Sequence, residues 1–513
     1  MPLCKGWWVR RLAIVCLVAG VGCGSSPAAS TDAGAADAYV PTPIPALYDT
    51  MALGEVAFYQ TVKVTLMKDG SRPAPYNAPL IETRKGIARV FLNVIAENKK
   101  FKSRTLEAEL HVFGPGGTEK VLKDKKVISR GSSEDDLTST FNFPYDESFL
   151  SVTDQYYVVV RDPAAVAKGS DGAQIRYPDL ASVDQPPQEA VDPLAVALNP
   201  GRVRVRIVPI AYGADMSNRL PDTSDAQVKA TVEELYDMYP TNQIDLDVRS
   251  APMPWAQAVD PNGNGWMELL QAVMDLRAAD APPSDMYYVG AFQPRASFPA
   301  YCQQGCIAGL AATADPAIPA ERAVIVLGYG GQYPTETVAH ELGHTMGRHH
   351  SPCGGAQGTD PKYPYMDGAS GVTGFRQSDQ SFIFDSTDVM GYCQPIWISD
   401  FTYKALADRV RTVNQLGSIH GSNPFVPHKV QRIYVGSGGA LSWGKDLTMT
   451  DVVGGNDVEV IYRDASGGAV AKRTGHRYGY DHLPGGFVLV ENPPNTTWTS
   501  ATIPSVTPSV LAR

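Results

Sequence analysis

Four of the chain's nine histidines fall within eleven residues, as His340, His344, His349 and His350. On a helix, His340 and His344 lie one turn apart on one face, so both imidazoles reach one ion. Glu341, offset by one residue, falls beside such an ion rather than on it, where a carboxylate can take a proton from water. Gly347 tolerates positive φ and can end the helix, turning the chain back so that His350 arrives as a third ligand. Three protein ligands with one position left for water mark a catalytic zinc site, whereas a structural site takes four. At this composition the His340-to-His344 pattern arises by chance about once per hundred chains, and requiring Gly347 and His350 lowers that to on the order of one in 10⁵. His349 falls outside the spacing and is read as exposed or supporting. His111, His420, His428, His476 and His482 are scattered and are assigned no role.

The pattern resembles that of the metzincin clan of zinc endopeptidases, over roughly residues 201–417. That resemblance implies a methionine in a tight turn beneath the metal, a place held by Met390. Taken without the histidines, Met390 reads as a core methionine at a turn. It also implies that Tyr392, two positions later, binds the metal or steadies the oxyanion of the reaction. One zinc ion would be held by His340, His344 and His350, with Glu341 accepting a proton from water and passing it to the leaving amine. Residues 307–313, rich in small side chains, take the place of the edge strand above the cleft, whose backbone can pair with an extended peptide. The expected partner is therefore a protein or peptide substrate. Some metzincins are kept latent by a propeptide cysteine; no cysteine occurs between Gly24 and Tyr301, so that device is excluded.

The elements around these residues alternate. From Arg202 the pattern predicts a strand over 203–210, a helix over 225–238, a strand over 244–248, a helix over 266–278 and a strand over 285–291. A strand over 323–327, the histidine helix from about Thr335, and a last helix over 400–416 follow, the last capped by Ser399 and ended by Gly417. Strands alternating with helices indicate an α/β domain, and the order agrees with the family resemblance. Residues 47–165 instead show two-residue alternation broken by Gly, Pro and Asp turns, as in a β-sandwich, and 421–513 return to short strands of a second, smaller one. Residues 166–200 read as a linker. The expected fold class is a multidomain chain, with a metzincin-like α/β catalytic domain at 201–417 flanked by immunoglobulin-like β-sandwiches.

Residues 1–22 read as a signal peptide, with Lys5, Arg10 and Arg11 ahead of an apolar run too short to span a bilayer. The segment resembles a bacterial lipoprotein signal, which implies that Cys23 carries lipid and that 23–46, rich in Ala, Ser, Gly and Pro, tethers the protein to the outer membrane or cell surface. An ordinary secreted protein cut nearby is the alternative. Removal of the leader discards Cys4 and Cys16, and lipid would occupy Cys23. The four cysteines then left suggest two disulfides in an exported protein. Cys353 follows His350 by three residues and Cys393 follows Met390 by three. A bond between them would tie the third ligand to the methionine turn and leave Cys302 with Cys306; crossed pairs are the alternative. Asp260, Asn262 and Asn264, with Glu268 beyond, resemble the start of a calcium loop, but Gln271 stands where its closing glutamate belongs. A plain turn into the next helix is the preferred reading there.

The 513 residues carry 44 Lys and Arg against 54 Asp and Glu, a formal charge of −10. With 43% hydrophobic and 19% charged residues, a mainly disordered chain is excluded. The acidic balance without basic runs argues against a nucleic-acid partner. No apolar stretch approaches the roughly 18 residues of a membrane-spanning helix, leaving the lipid as the membrane contact. These readings converge on an exported zinc endopeptidase. The alternatives are a surface adhesion or binding lipoprotein with a vestigial protease domain, and a zinc hydrolase of non-peptide amides.

Overall fold

The computed structural model describes residues 47–95, 101–167, 173–179, 190–303, 305–312, 319–419, 428–444, 446–449, 456–480, 482–491 and 497–513. The expected signal peptide, the lipid site at Cys23 and the tether lie outside these residues. The chain is built from several sheets, mostly β, with few helices.

The amino-terminal strands alternate as their sequence requires. Leu106, Ala108, Leu110 and Val112 are fully buried on one face of the strand Arg104–Phe113. They join a core with Val56, Phe58, Val90 and Phe141 of the facing sheet. One sheet takes Met51–Tyr59, Lys63–Lys68, Gly86–Val94 and Phe141–Tyr145. The other takes Arg104–Phe113, Glu119–Ile128 and Gln155–Arg161. The segment expected to be a linker contributes to the same body. Gln174–Tyr177 and Asp192–Pro193 pair with Gln155–Arg161, and Val196–Ala197 runs parallel to Leu80–Ile81. The reason is burial: Leu194 and Val196 enter the core although their surroundings are rich in Pro and Gln.

Val203–Tyr212 is the centre of a six-stranded sheet. Ile244–Val248 and Met253–Trp255 lie on one side of it, and Met286–Phe292 then Ala323–Leu327 on the other, all parallel. Gly309–Ala311 closes the edge, antiparallel to Ala323–Leu327. Residues of the helices Asp225–Met238 and Gln332–Thr345 share one core with this sheet, and those of Trp266–Asp280 share the other. Tyr287, Val289 and Ala291 face the first core, Met286, Tyr288 and Phe292 the second. The histidine helix begins three residues earlier than expected, after Gly331 at φ 110°. The last helix, Asp400–Ile419, is capped by Ser399, whose Oγ accepts the Thr402 N–H at 3.0 Å. It runs through Gly417 rather than ending there; a glycine inside a helix costs only about 1 kcal/mol.

The carboxy-terminal strands are sandwich- or barrel-like. They form one antiparallel sheet whose outer strands are Leu441–Trp443 and Thr507–Ala512, curled until these meet, where the Trp443 indole N–H donates to the Ala512 carbonyl at 2.6 Å. Two-residue alternation is common to a sandwich and a nearly closed sheet, since each buries one face of every strand. Here that face carries Val460, Tyr462, Val488 and Ile503.

Candidate metal centre

The helix Gln332–Thr345 carries His340, Glu341 and His344, all buried. Its exit is a left-handed cap. Gly347 stands at φ 84°, its N–H donating to the His344 carbonyl at 2.8 Å, while the Arg348 N–H reaches back to Gly343 at 3.0 Å. The chain reverses and delivers His350. Nε2 of His344 then lies 3.0 Å from Nε2 of His340 and 3.1 Å from Nε2 of His350. The three Nδ1 atoms point outward to backbone carbonyls, at 2.6 Å to Val389, at 2.7 Å to Arg348, and to Gln357.

That arrangement fits a metal. An Nδ1 that donates to a carbonyl is protonated, so in the neutral ring Nε2 presents its lone pair. Three lone pairs facing one another at hydrogen-bond distance repel unless a cation sits among them, and outer partners on Nδ1 are what ligating histidines usually have. Burial, then the charges of His344, His482 and His350, pushes the His340 imidazole well below its usual range, towards the neutral form a metal needs.

The floor of the site is the methionine turn. Gly391 N–H donates to the Asp388 carbonyl at 2.9 Å, and the buried Asp388 carboxylate holds the N–H groups of Met390 at 2.8 Å and Ser399 at 2.9 Å. Burial raises the Asp388 pKa. Met390 lies beneath the helix: a Cβ added at Gly343 would stand 2.5 Å from its Sδ. Tyr392 brings its hydroxyl 3.0 Å from Nε2 of His350. Disulfides join Cys353 to Cys393 and Cys302 to Cys306, so the segment after His350 and the methionine turn are tied together. His349 is exposed, as its spacing predicts.

A cleft of about 780 Å³ opens over the site, lined by Ala308 and Gly309 of the edge, Tyr333 and Thr337 of the helix, Tyr392 and Ile396. The regular edge strand is shorter than expected, at Gly309–Ala311, and Ala312 bridges to Tyr480 of the carboxy-terminal sheet; residue 313 lies outside the described residues.

His482, to which the sequence assigned no role, corrects that reading. It sits in the turn before the strand Gly486–Glu491 and joins the other three, with one ligand atom from each of the four within 4.8 Å of the rest. Its Nδ1 is 2.6 Å from the Tyr392 hydroxyl and its Nε2 3.1 Å from Glu341 Oε1. The cluster of four histidines can hold a metal ion. A contact across more than a hundred residues has no periodic signature; the one local hint was a histidine in a Pro-Gly turn. His111 lies between Glu109 and Glu119, and His476 beside Asp457.

At the segment that resembles the start of a calcium loop, the chain makes a turn. The Asp260 carboxylate accepts the N–H of Asn262 at 2.8 Å and of Asn264 at 3.2 Å, and the Asp260 carbonyl takes the Trp266 indole at 2.9 Å. Among the described residues no group of three or more His, Cys, Asp or Glu other than the histidine cluster is placed to hold a metal. The two disulfides fit an oxidising, extracellular setting. No described helix is long and apolar enough to cross a membrane.

No family model and no curated protein matches this chain. Among solved structures, it overlaps a β-glucuronidase of Bacteroides uniformis at 11% identity and TM-score 0.14, over 47% of this chain and 27% of that one. A calcium-binding mutant of B. uniformis β-glucuronidase 2 overlaps at 10% identity and TM-score 0.12, over 48% and 28%. The chain thus spans little more than a quarter of those enzymes, and likenesses this slight carry no argument about fold or activity.

Proposed function

We propose that this chain is a zinc-dependent endopeptidase with a metzincin-type α/β catalytic unit, exported and held at a bacterial cell envelope by lipid on Cys23. One observation carries the reading: three buried imidazoles turn their Nε2 atoms to a common centre beside buried Glu341, at the wall of an open cleft. Three neutral imidazoles suit zinc. Bound there, zinc supplies Lewis acidity, lowering the pKa of water and polarising a carbonyl.

The chain's own residues do the rest. His340, His344 and His350 hold the ion, oriented by their backbone partners. Glu341 accepts the proton of the attacking water and returns it to the leaving amine. Tyr392 donates to the oxyanion that develops on the carbonyl. The cleft beside Gly309–Ala311 receives an extended peptide. A second reading, a binding lipoprotein with a structural metal, is favoured by one feature: His482 offers a fourth imidazole.

The two readings separate when the purified chain is stripped with a chelator and zinc is restored. We expect one zinc per chain, with cuts in a peptide mixture that vanish on stripping and return with zinc. One zinc with no cuts would favour the structural metal, and no zinc would remove both readings. Mass spectrometry of the mature amino terminus tests the lipid: an unmodified residue downstream of Cys23 would contradict it.

A further inference from the structure

The turn between the strands Ala469–Gly479 and Gly486–Glu491 reaches from the carboxy-terminal sheet into the cleft of the catalytic one. It is fastened on both sides. Tyr480 bridges Ala312 at the end of the edge strand, and Leu483 covers Gly263, where an added Cβ would lie 2.5 Å from its Cδ2. Gly485 and Gly486, at φ 131° and 139°, adopt backbone conformations that other residues rarely reach, and so return the chain to its strand. His482 is thereby held with only 15% of its side chain exposed.

Its imidazole touches both groups assigned chemistry besides the metal ligands. Nε2 lies 3.1 Å from Glu341 Oε1 and Nδ1 2.6 Å from the Tyr392 hydroxyl. An ionised carboxylate only accepts, so Nε2 carries the proton and donates to Glu341, and Nδ1 accepts from the Tyr392 hydroxyl. The other three histidines are arranged in reverse: their Nδ1 atoms donate outward and their Nε2 atoms face the common centre. His482 thus needs the opposite tautomer from the ligands, with its Nε2–H spent on the carboxylate.

We infer that His482 is a positioning residue of the active site, clamping the Glu341 carboxylate and holding the Tyr392 hydroxyl, whose single proton rests on His482 Nδ1 and turns to the oxyanion only as that charge develops, so that the carboxy-terminal sheet is part of the catalytic apparatus. The inference rests on the peptidase reading above. A hydrogen bond from an imidazole N–H to a carboxylate is charge-assisted and directional. It fixes the plane of the Glu341 carboxylate, and with it the direction along which the proton of water is taken.

The test uses the full chain as wild type, His482→Ala and His482→Gln, each loaded with zinc. Zinc affinity is read by competition with a chromophoric chelator, and kcat and KM on a peptide the wild type cuts. We expect zinc affinity within about threefold of wild type in both variants. In His482→Ala, kcat should fall roughly 10- to 100-fold with KM within about threefold. His482→Gln, whose side-chain amide can donate to Glu341, should recover most of that loss. Zinc affinity falling in step with kcat would make His482 a ligand instead. An unchanged or raised kcat in His482→Ala would make the turn a mere cover, and an equal loss in Ala and Gln would make the role structural. Each of these overturns the inference and leaves the peptidase reading intact, whereas a zinc-loaded wild type that cuts nothing removes both.

Discussion

An ideal Cβ at position 309 would stand 2.2 Å from Oε1 of Glu341, 2.5 Å from its Cγ and 2.6 Å from its Cδ. Glu341 is only 1% exposed, so its whole side chain would have to shift with little room to do so. Gly309→Ala should therefore move the carboxylate while leaving the three imidazoles in place. Since displacements near 1 Å can lower a rate on the order of 100-fold, we expect kcat to drop at least tenfold with zinc content unchanged. Full activity in Gly309→Ala would show that the carboxylate is not confined as described. That His340 and His344 face one point beside Glu341 was legible in the sequence because a helix repeats every 3.6 residues and places i and i+4 together. Gly309 was legible only as one of several small residues near the cleft. His482 was not legible, because its partners come from another sheet and no local rule joins them.

The segments that flank the cleft owe their order to loops closed at very different lengths. Cys353–Cys393 spans a sequence separation of 40 residues and joins the segment after His350 to the methionine turn, whereas Cys302–Cys306 spans 4. Loop-closure entropy assigns about 4 kcal/mol to the first and about 2 kcal/mol to the second. Denaturant unfolding of the paired Cys→Ser variants should show the larger loss for Cys353 and Cys393, together with loss of activity as Tyr392 comes away from His350. The reverse order would mean that the 353–393 segment is held by its other contacts, such as the Arg348–Asp360 ion pair at 3.1 Å. The helix Asp225–Met238 and the strands Ile244–Val248 and Ala323–Leu327 lie where periodicity puts them, and Ser399 caps its helix as expected. The carboxy-terminal strands were equally legible one at a time; their closing into a single curled sheet was not, because alternation records which face is buried and not against what.

The two faces of the central sheet belong to different cores, one continuous with the amino-terminal strands and the other with the carboxy-terminal sheet. Arg84 of the amino-terminal body is fully buried and donates to the Tyr239 carbonyl at 2.9 Å, just beyond the helix Asp225–Met238. The indole of Trp397, a few residues past the methionine turn, donates to the Thr61 carbonyl at 2.9 Å. The body expected from sequence to be a β-sandwich thus braces the segment after the methionine turn and the helix Asp225–Met238, beside which the Tyr239 hydroxyl donates to the Ala339 carbonyl of the histidine helix at 2.7 Å. Such contacts carry no signature in composition, which is why residues 166–200 read as a linker while several of them pack. The turn at His482 and the edge at Gly309 converge on one carboxylate, that of Glu341. The most direct test is cleavage of an unbiased peptide mixture by wild type beside Glu341→Ala, with zinc measured in both. We expect one zinc per chain in each and cuts by the wild type that disappear in Glu341→Ala. Equal cutting by the two proteins would contradict the peptidase proposal, because the base assigned to the reaction would then be dispensable.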